Sequence, residues 1–157
     1  MLFDWGVHLL DQILFLIPDK IKSVYCVMQY NKEGVDKQFR LSIGFESGKN
    51  AEIEVGTENF ISPFRWLVLG DRGAVLLQDW TAKGKVVTAV ETVVTFQPEI
   101  VYTAAGPTKT MAPRNHNTLL KETPDRVFPD EGAFYTKLYQ ALNGEEPYVK
   151  TEEVLRV

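Results

Sequence analysis

The chain has little cysteine, no run of basic residues and no long apolar segment. Its 157 residues include one cysteine, Cys26, which excludes an internal disulfide and a site with several cysteine ligands. A reducing, cytoplasmic setting is therefore the simplest expectation. The formal net charge is -4 and Lys and Arg are scattered, so no basic patch predicts binding to nucleic acid. The apolar run 13–17 is too short to cross a bilayer, and no basic segment precedes it, so neither a membrane span nor a signal peptide is expected.

Glycine is present but not in the pattern that binds a dinucleotide. None of the eleven glycines belongs to a Gly-x-Gly-x-x-Gly turn after a strand. We therefore expect no cofactor-binding residues within this chain. A metal site is not expected either, since His8 is the one strong nitrogen donor close to carboxylates in the sequence.

Apolar periodicity predicts helices near both ends of the chain and strands between them. A helix is expected from Asp4, a candidate N-cap, to Ile17, where Pro18 ends it. Strands are predicted at 23–30, 39–45, 51–55, 65–69, 74–78 and 86 to about 95.

The rest of the chain, after about residue 103, contains fewer periodic segments. Residues 103–130 contain several prolines and asparagines and are predicted to form a long ordered loop. A second helix is expected over 131–142, with Gly144 after its end, and a third begins at Thr151. The predicted class is α+β: an open, mostly antiparallel sheet with helices packed on one face, in a single domain over 1–157.

The candidate site lies on the first predicted helix. In an α-helix, Asp4, His8 and Asp11 fall within about 60° of one another, while the rest of the circumference is mostly apolar, which predicts a largely buried helix. Histidine can carry a proton during oxidation of an alcohol, and a nearby carboxylate can orient the imidazole or raise its basicity.

Each of these residues also has a purely structural interpretation. Asp4 could be only an N-cap, His8 a hydrogen-bonded structural histidine, and Asp11 a partner for a basic side chain. Spacing alone leaves the two interpretations about even. Elsewhere, Cys26 is predicted to be a packed core thiol and His116 a solvated loop residue.

The segment 2–11, Leu-Phe-Asp-Trp-Gly-Val-His-Leu-Leu-Asp, resembles the helix that opens the C-terminal domain of the glucose–fructose oxidoreductase / inositol dehydrogenase / rhizopine catabolism (Gfo/Idh/MocA) family. That family has Asp, three residues, His, two residues and Asp. Weaker matches follow in the expected order at 45–48, 70–73, 131–144 and 151–155. The resemblance covers essentially the whole chain.

The resemblance implies a nicotinamide-dependent oxidoreductase acting on a sugar, polyol or related secondary alcohol. By residue match, His8 would transfer the hydroxyl proton, Asp4 would position the substrate or that histidine, and Asp11 would have a supporting role. NAD or NADP would be bound mainly by an N-terminal dinucleotide-binding domain, which also carries the family's catalytic lysine. Neither is found here, so this chain alone is expected to be inactive.

The resemblance also bears on partners. It implies a homodimer or higher homo-oligomer formed through the open face of the sheet, which carries Arg40, Ser42, Glu52 and Glu54. A solvated face is the alternative that composition leaves open. The alternative function, from a different class, is a non-enzymatic oligomerisation or interaction domain.

Overall fold

A computed structural model describes residues 1–81, 83–90, 100–109 and 118–157. These residues divide into two compact units. Unit one comprises Met1–Ile61 with Asp130–Val157, and unit two is Ser62–Pro129.

The described α-helices and the π-helical segment lie in unit one, and the strands are shared between the units. The helices are a π-helical segment Leu2–Gly6, α1 Val7–Leu16, α2 Ala133–Leu142 and α3 Thr151–Val154. The strands of unit one are β1 Ile21–Tyr30, β2 Asp36–Phe45 and β3 Asn50–Gly56. The described strands of unit two are β4 Trp66–Leu69, β5 Gly73–Leu77, β6 Gly84–Ala89, β7 Ile100–Thr103, β8 Gly106–Lys109 and β9 Leu119–Glu122.

Unit one is built on an antiparallel sheet in the order β1-β2-β3. In its register Leu41 pairs with Cys26 on one side and Ile53 on the other, so these three side chains share a face. Alternate residues of β2 and β3 on that face are buried, and Ile13 and Leu14 of α1 complete the core. The buried side chains are Ile13, Leu14, Phe39, Leu41, Ile43, Phe45, Ala51 and Ile53.

Gly6 permits the close approach of the helical segment to this core. A Cβ atom at Gly6 would lie 3.0 Å from Cζ of Phe39 and 3.1 Å from Cδ1 of Leu2. Phe39 itself is completely buried. The junction between the π-helical segment and α1 therefore lies directly on the best-packed residue of the sheet.

The prediction for Cys26 is wrong, because its thiol is exposed. The residue shares the face of Leu41, but β1 is an edge strand whose residues are exposed apart from the half-buried Met28. The pattern of residues predicts which side chains share a face. It does not predict how far the helix extends over that face.

Unit two contains an antiparallel sheet in the order β4-β5-β6-β9 and the separate hairpin β7-β8. The loop predicted over 103–130 is therefore wrong in part, since β8 and β9 lie within it. Strands this short carry too few residues to show an alternation. β9 is defined by its pairing with β6, for example Lys121 with Val87, and that partner is distant in sequence.

The predicted fold class is confirmed: the described strands form open antiparallel sheets, together with a few helices. The strands are divided among three sheets, whereas the sequence predicted one. The second helix begins two residues later than predicted, and Gly144 follows it with φ of 93°. The end of the strand predicted to reach about residue 95 lies outside the described residues, as does His116.

Candidate functional site

The three predicted site residues lie on one continuous helical stretch with two hydrogen-bond patterns. Asp4 belongs to the π-helical segment, in which the Gly6 amide donates to the Met1 carbonyl at 3.1 Å. His8 and Asp11 lie on α1, three residues apart, and so are neighbours on one face. The angle predicted for an ideal α-helix therefore holds for His8 and Asp11. It does not transfer directly to Asp4.

Asp4, His8 and Asp11 are all exposed. The backbone carbonyl of His8 accepts a hydrogen bond from Nε2 of Gln12 at 2.9 Å. Its imidazole, however, makes no hydrogen bond or ion pair within the described part of the chain. His8 is thus not a hydrogen-bonded core histidine, and its ring nitrogens are accessible to a ligand.

The structural interpretations of the two aspartates also find no support. Asp4 makes no side-chain capping hydrogen bond, and the N-cap position of its segment is Met1. Asp11 forms no ion pair with a basic side chain among the residues described. Both carboxylates are exposed, and that of Asp11 lies on the same face of α1 as His8.

Exposed aromatic residues surround these polar groups. Phe3 is 91% exposed, Trp5 46% and Phe15 79%. The prediction of a largely buried helix is therefore wrong: between residues 2 and 16 the buried residues are Gly6, Ile13 and Leu14. The helix packs against the sheet along one side. Its other sides present a mixed surface of rings and polar groups.

The start of this helical stretch is anchored by a residue that the sequence pattern did not indicate. Asp36, at the beginning of β2, accepts a hydrogen bond from the Leu2 amide at 2.7 Å. This bond, followed by one from the Met1 ammonium, lowers the pKa of Asp36. The negative charge of this carboxylate also interacts favourably with the positive, N-terminal end of the helix dipole. Asp36 thus does the work predicted for Asp4, from 34 residues away.

Asp19 fastens the other end of the stretch to the sheet. Its carboxylate accepts hydrogen bonds from the backbone amides of Ser47 at 2.9 Å and Lys20 at 2.8 Å. The Ser47 side chain and then these amides lower the pKa of Asp19. Ser47 lies in the turn between β2 and β3, so both ends of the site helix are tied to the same hairpin.

Among the described residues, no three His, Cys, Asp or Glu side chains are close enough to hold a metal ion. The strand-to-helix connection before α2 has a single glycine, Gly132, which does not fit the cradle that a pyrophosphate requires. None of the described helices is both long enough and apolar enough to cross a membrane.

Residues 1–76, which contain the helix and the β1–β3 sheet, match the GFO/IDH/MocA C-terminal domain. This part of the chain carries the sequence of a GFO/IDH/MocA C-terminal domain. The resemblance predicted from the motif around His8 is thereby confirmed. No significant match was found among curated proteins.

Solved structures extend the similarity of this GFO/IDH/MocA domain over nearly the whole chain. An NAD-binding protein from Listeria innocua is 39% identical with a TM-score of 0.80, covering 98% of this chain and 45% of its own. An oxidoreductase from Bacillus cereus is 16% identical with a TM-score of 0.68, covering 98% and 44%.

A dehydrogenase is also among the similar structures. The UDP-N-acetylglucosamine 3-dehydrogenase of Acidithiobacillus ferrooxidans is 13% identical, with a TM-score of 0.63, and the match covers 90% of this chain and 39% of that one. At this level of identity, the latter two structures show a shared fold. The chain spans less than half the length of each of these proteins.

Proposed function

We propose that this GFO/IDH/MocA domain is the substrate-side part of a nicotinamide-dependent oxidoreductase acting on a sugar, polyol or related secondary alcohol. The observation that carries the proposal is the exposed imidazole of His8, which shares a face of α1 with the exposed Asp11 and follows the exposed Asp4, on a helical stretch fixed to the sheet at both ends. The NAD-binding Listeria innocua protein and the Acidithiobacillus ferrooxidans dehydrogenase support the cofactor and the substrate class.

In this proposal the chain handles the proton and the substrate's orientation. A bound nicotinamide, NAD or NADP, supplies hydride exchange and is held mainly by a separate N-terminal domain. The His8 imidazole accepts the substrate hydroxyl proton during oxidation and returns it during reduction. The Asp4 carboxylate accepts a hydrogen bond from the substrate or from the imidazole. Asp11, three residues from His8 on the same helix face, has a supporting role.

Turnover by a complete two-domain protein tests the proposal. This chain would replace the matching part of the Listeria innocua protein, and sugars and polyols would be screened with NAD and NADP by the absorbance of the reduced cofactor. We expect His8→Ala to lower kcat by about 10²- to 10⁴-fold, because it removes a general base. The pH dependence of kcat/KM should lose the limb that reports deprotonation of that base.

The chain's other histidine provides the matched control. His116→Ala removes an imidazole from outside the described residues and should leave turnover unchanged. Asp4→Asn should lower turnover less than His8→Ala does, since it keeps a polar group of the same size. Unchanged turnover in His8→Ala would reject the catalytic assignment of His8. A loss of turnover in His116→Ala alone would assign the required histidine to position 116 instead.

We also propose that the domain pairs with a second copy through the sheet of unit one. The polar side chains on the face opposite α1 satisfy one another: Arg40 pairs with Glu54 at 2.9 Å and Ser42 donates to Glu52 at 2.7 Å. By register, the exposed Tyr25 and Val27 of β1 lie on the same face. A face that combines apolar side chains with satisfied polar groups can be covered at low cost.

Sedimentation at micromolar concentration tests this assembly. A stable sheet-to-sheet pair buries on the order of 2,000 Å² or more in total. We expect a dimer that Val27→Glu weakens, because the change places a charge among apolar contacts. A single species near the monomer mass of 17.8 kDa would contradict pairing through this domain alone.

The exposed, free thiol of Cys26 supports a reducing, cytoplasmic location.

A further inference from the structure

The end of α1 has a carbonyl group that its own helix cannot satisfy. The Ile17 amide donates to the Ile13 carbonyl at 2.8 Å, which is the last regular bond of the helix. The Leu14 carbonyl would next accept from residue 18, but residue 18 is proline and has no N–H. Proline also cannot adopt the left-handed conformation with which many helices end. Since Leu14 is buried, its carbonyl needs a donor from elsewhere in the protein.

Arg156, near the other end of the chain, supplies that donor. Its Nη1 donates to the Leu14 carbonyl at 3.3 Å, and its Nη2 donates to the Ile17 carbonyl at 3.5 Å and to the Asp19 carbonyl. A planar guanidinium has several donors in fixed directions, which suits a cluster of carbonyl oxygens. Its positive charge also lies at the negative end of the helix dipole.

We propose that Arg156 is a positioning residue, a distant C-cap required by Pro18 that fixes the helix carrying His8 and Asp11. Leu14 follows His8 by six residues, or about 9 Å along the helix axis. The Asp19 carbonyl that Arg156 contacts belongs to the residue whose carboxylate binds the Ser47 amide. Arg156 therefore joins the C-terminal segment to the site helix and to the β2–β3 turn. Its role in positioning rests on the function proposed for His8.

Amide exchange and the NMR signals of the His8 ring, both recorded on this chain, test the proposal. Arg156→Ala should accelerate exchange in the last turn of α1 by about tenfold or more, because charged hydrogen bonds to buried carbonyls are lost. The His8 ring signals should shift or broaden, which a merely global loss of stability would not cause in the folded state. Arg156→Lys should change the exchange rate and the ring signals less than Arg156→Ala does, since an ammonium keeps the charge and can reach some of the carbonyls.

A second substitution isolates the role of the proline. Pro18→Ala returns an N–H that can satisfy Leu14, so Arg156→Ala should have a several-fold smaller effect on exchange when residue 18 is alanine. Lys150→Ala is the matched control. It removes a positive charge from the same segment, where Lys150 pairs with the exposed Glu146 at 3.0 Å, and should leave α1 unchanged.

Several outcomes would overturn the proposal: wild-type exchange and ring signals in Arg156→Ala, or an equal effect in the two residue-18 backgrounds. If Arg156→Ala unfolds and Pro18→Ala with Arg156→Ala folds, the proposal is supported. If neither variant folds, Arg156→Lys decides. Faster amide exchange confined to α1 in that variant supports the proposal, and uniformly faster exchange across the chain overturns it. These measurements do not use turnover, so a catalytically neutral His8→Ala would reject the proposed function without affecting this result.

Discussion

The two units of the chain use β-structure in different ways. Among the described residues, all eight buried apolar side chains belong to unit one, where α1 packs on the β1–β3 sheet. Among the described residues of unit two none is fully buried, and the strands β5 and β6 are mostly half-buried. Unit one therefore has a core of its own, whereas the described part of unit two is a sheet with little covered surface.

This difference bears on where the candidate site lies. A catalytic side chain must be held within a fraction of an ångström, which requires a packed support. His8 is exposed, but Ile13 and Leu14 on the same helix are core residues. In unit two the Arg65 guanidinium lies 3.6 Å from the centre of the exposed Trp80 ring. The helix that carries the candidate site is thus supported by the core of unit one.

The largest expected effect comes from comparing one leucine of each unit. Leu41→Ala removes a buried side chain between β1 and β3 and should lower the free energy of unfolding by about 2–5 kcal/mol. Leu76→Ala makes the same chemical change in half-buried β5 and should cost less than half as much. Urea denaturation followed by circular dichroism gives both values.

The pair has a clear contrary outcome. Equal losses of unfolding free energy in Leu41→Ala and Leu76→Ala would mean that unit two is as well packed as unit one. If Leu76→Ala lowered stability only at protein concentrations at which the chain self-associates, the Leu76 side chain would be buried in the assembly and not within the monomer.

The next effect concerns the contact between the site helix and the core. Gly6→Val adds two methyl groups at a position where even a single added Cβ atom would lie 3.0 Å from the Phe39 ring. Overpacking of this kind costs about 1–3 kcal/mol. Gly6→Ala is the graded control, because its smaller clash is offset by a gain of roughly 0.5–1 kcal/mol in helix propensity. Thermal unfolding should rank valine well below both glycine and alanine, and a valine variant as stable as wild type would show that the helix does not press on Phe39.

Local periodicity was enough to predict the elements of unit one, and the resemblance of one short segment was enough to predict the family. The alternation from Phe39 to Phe45 correctly places those odd-numbered residues in the core. The motif around His8 correctly identified the GFO/IDH/MocA domain. Both signals depend on residues within one turn or one strand of each other, which is the range over which a sequence pattern reports geometry.

The contacts that hold the site were not predicted, because they join distant segments. Asp36 meets Leu2 across 34 residues, and Arg156 meets Leu14 across 142. One local signal was available for the second contact: Pro18 follows the helix directly, so an unpaired carbonyl at Leu14 could have been inferred, though not its partner. The same reasoning explains the error at Asp4, where a suitable N-cap residue was present but a distant carboxylate acts instead.

The smallest expected effect is a difference in acid stability between two aspartates with lowered pKa, one in each unit. Asp19 is held by Ser47, 28 residues away, whereas Asp79 is held by the hydroxyl and amide of Thr81, two residues away. Hydrogen bonds from these partners lower the pKa of each carboxyl in the folded state. Such a group stabilises the fold above its unfolded pKa of about 3.9, and that stability is lost as the pH falls through the lower folded value.

The two aspartates should nevertheless differ, because a contact within a turn can persist in the unfolded chain and one between distant segments cannot. Asp19→Asn should therefore flatten the decline of the urea midpoint between neutral and acid pH more than Asp79→Asn does. Midpoints for the wild type and both variants, measured across that range, check the order. Equal slopes in all three proteins would show that neither carboxylate contributes to acid stability. A steeper effect for Asp79→Asn would mean that the turn in unit two unfolds together with the rest of the chain and that Asp19 does not fasten the site helix.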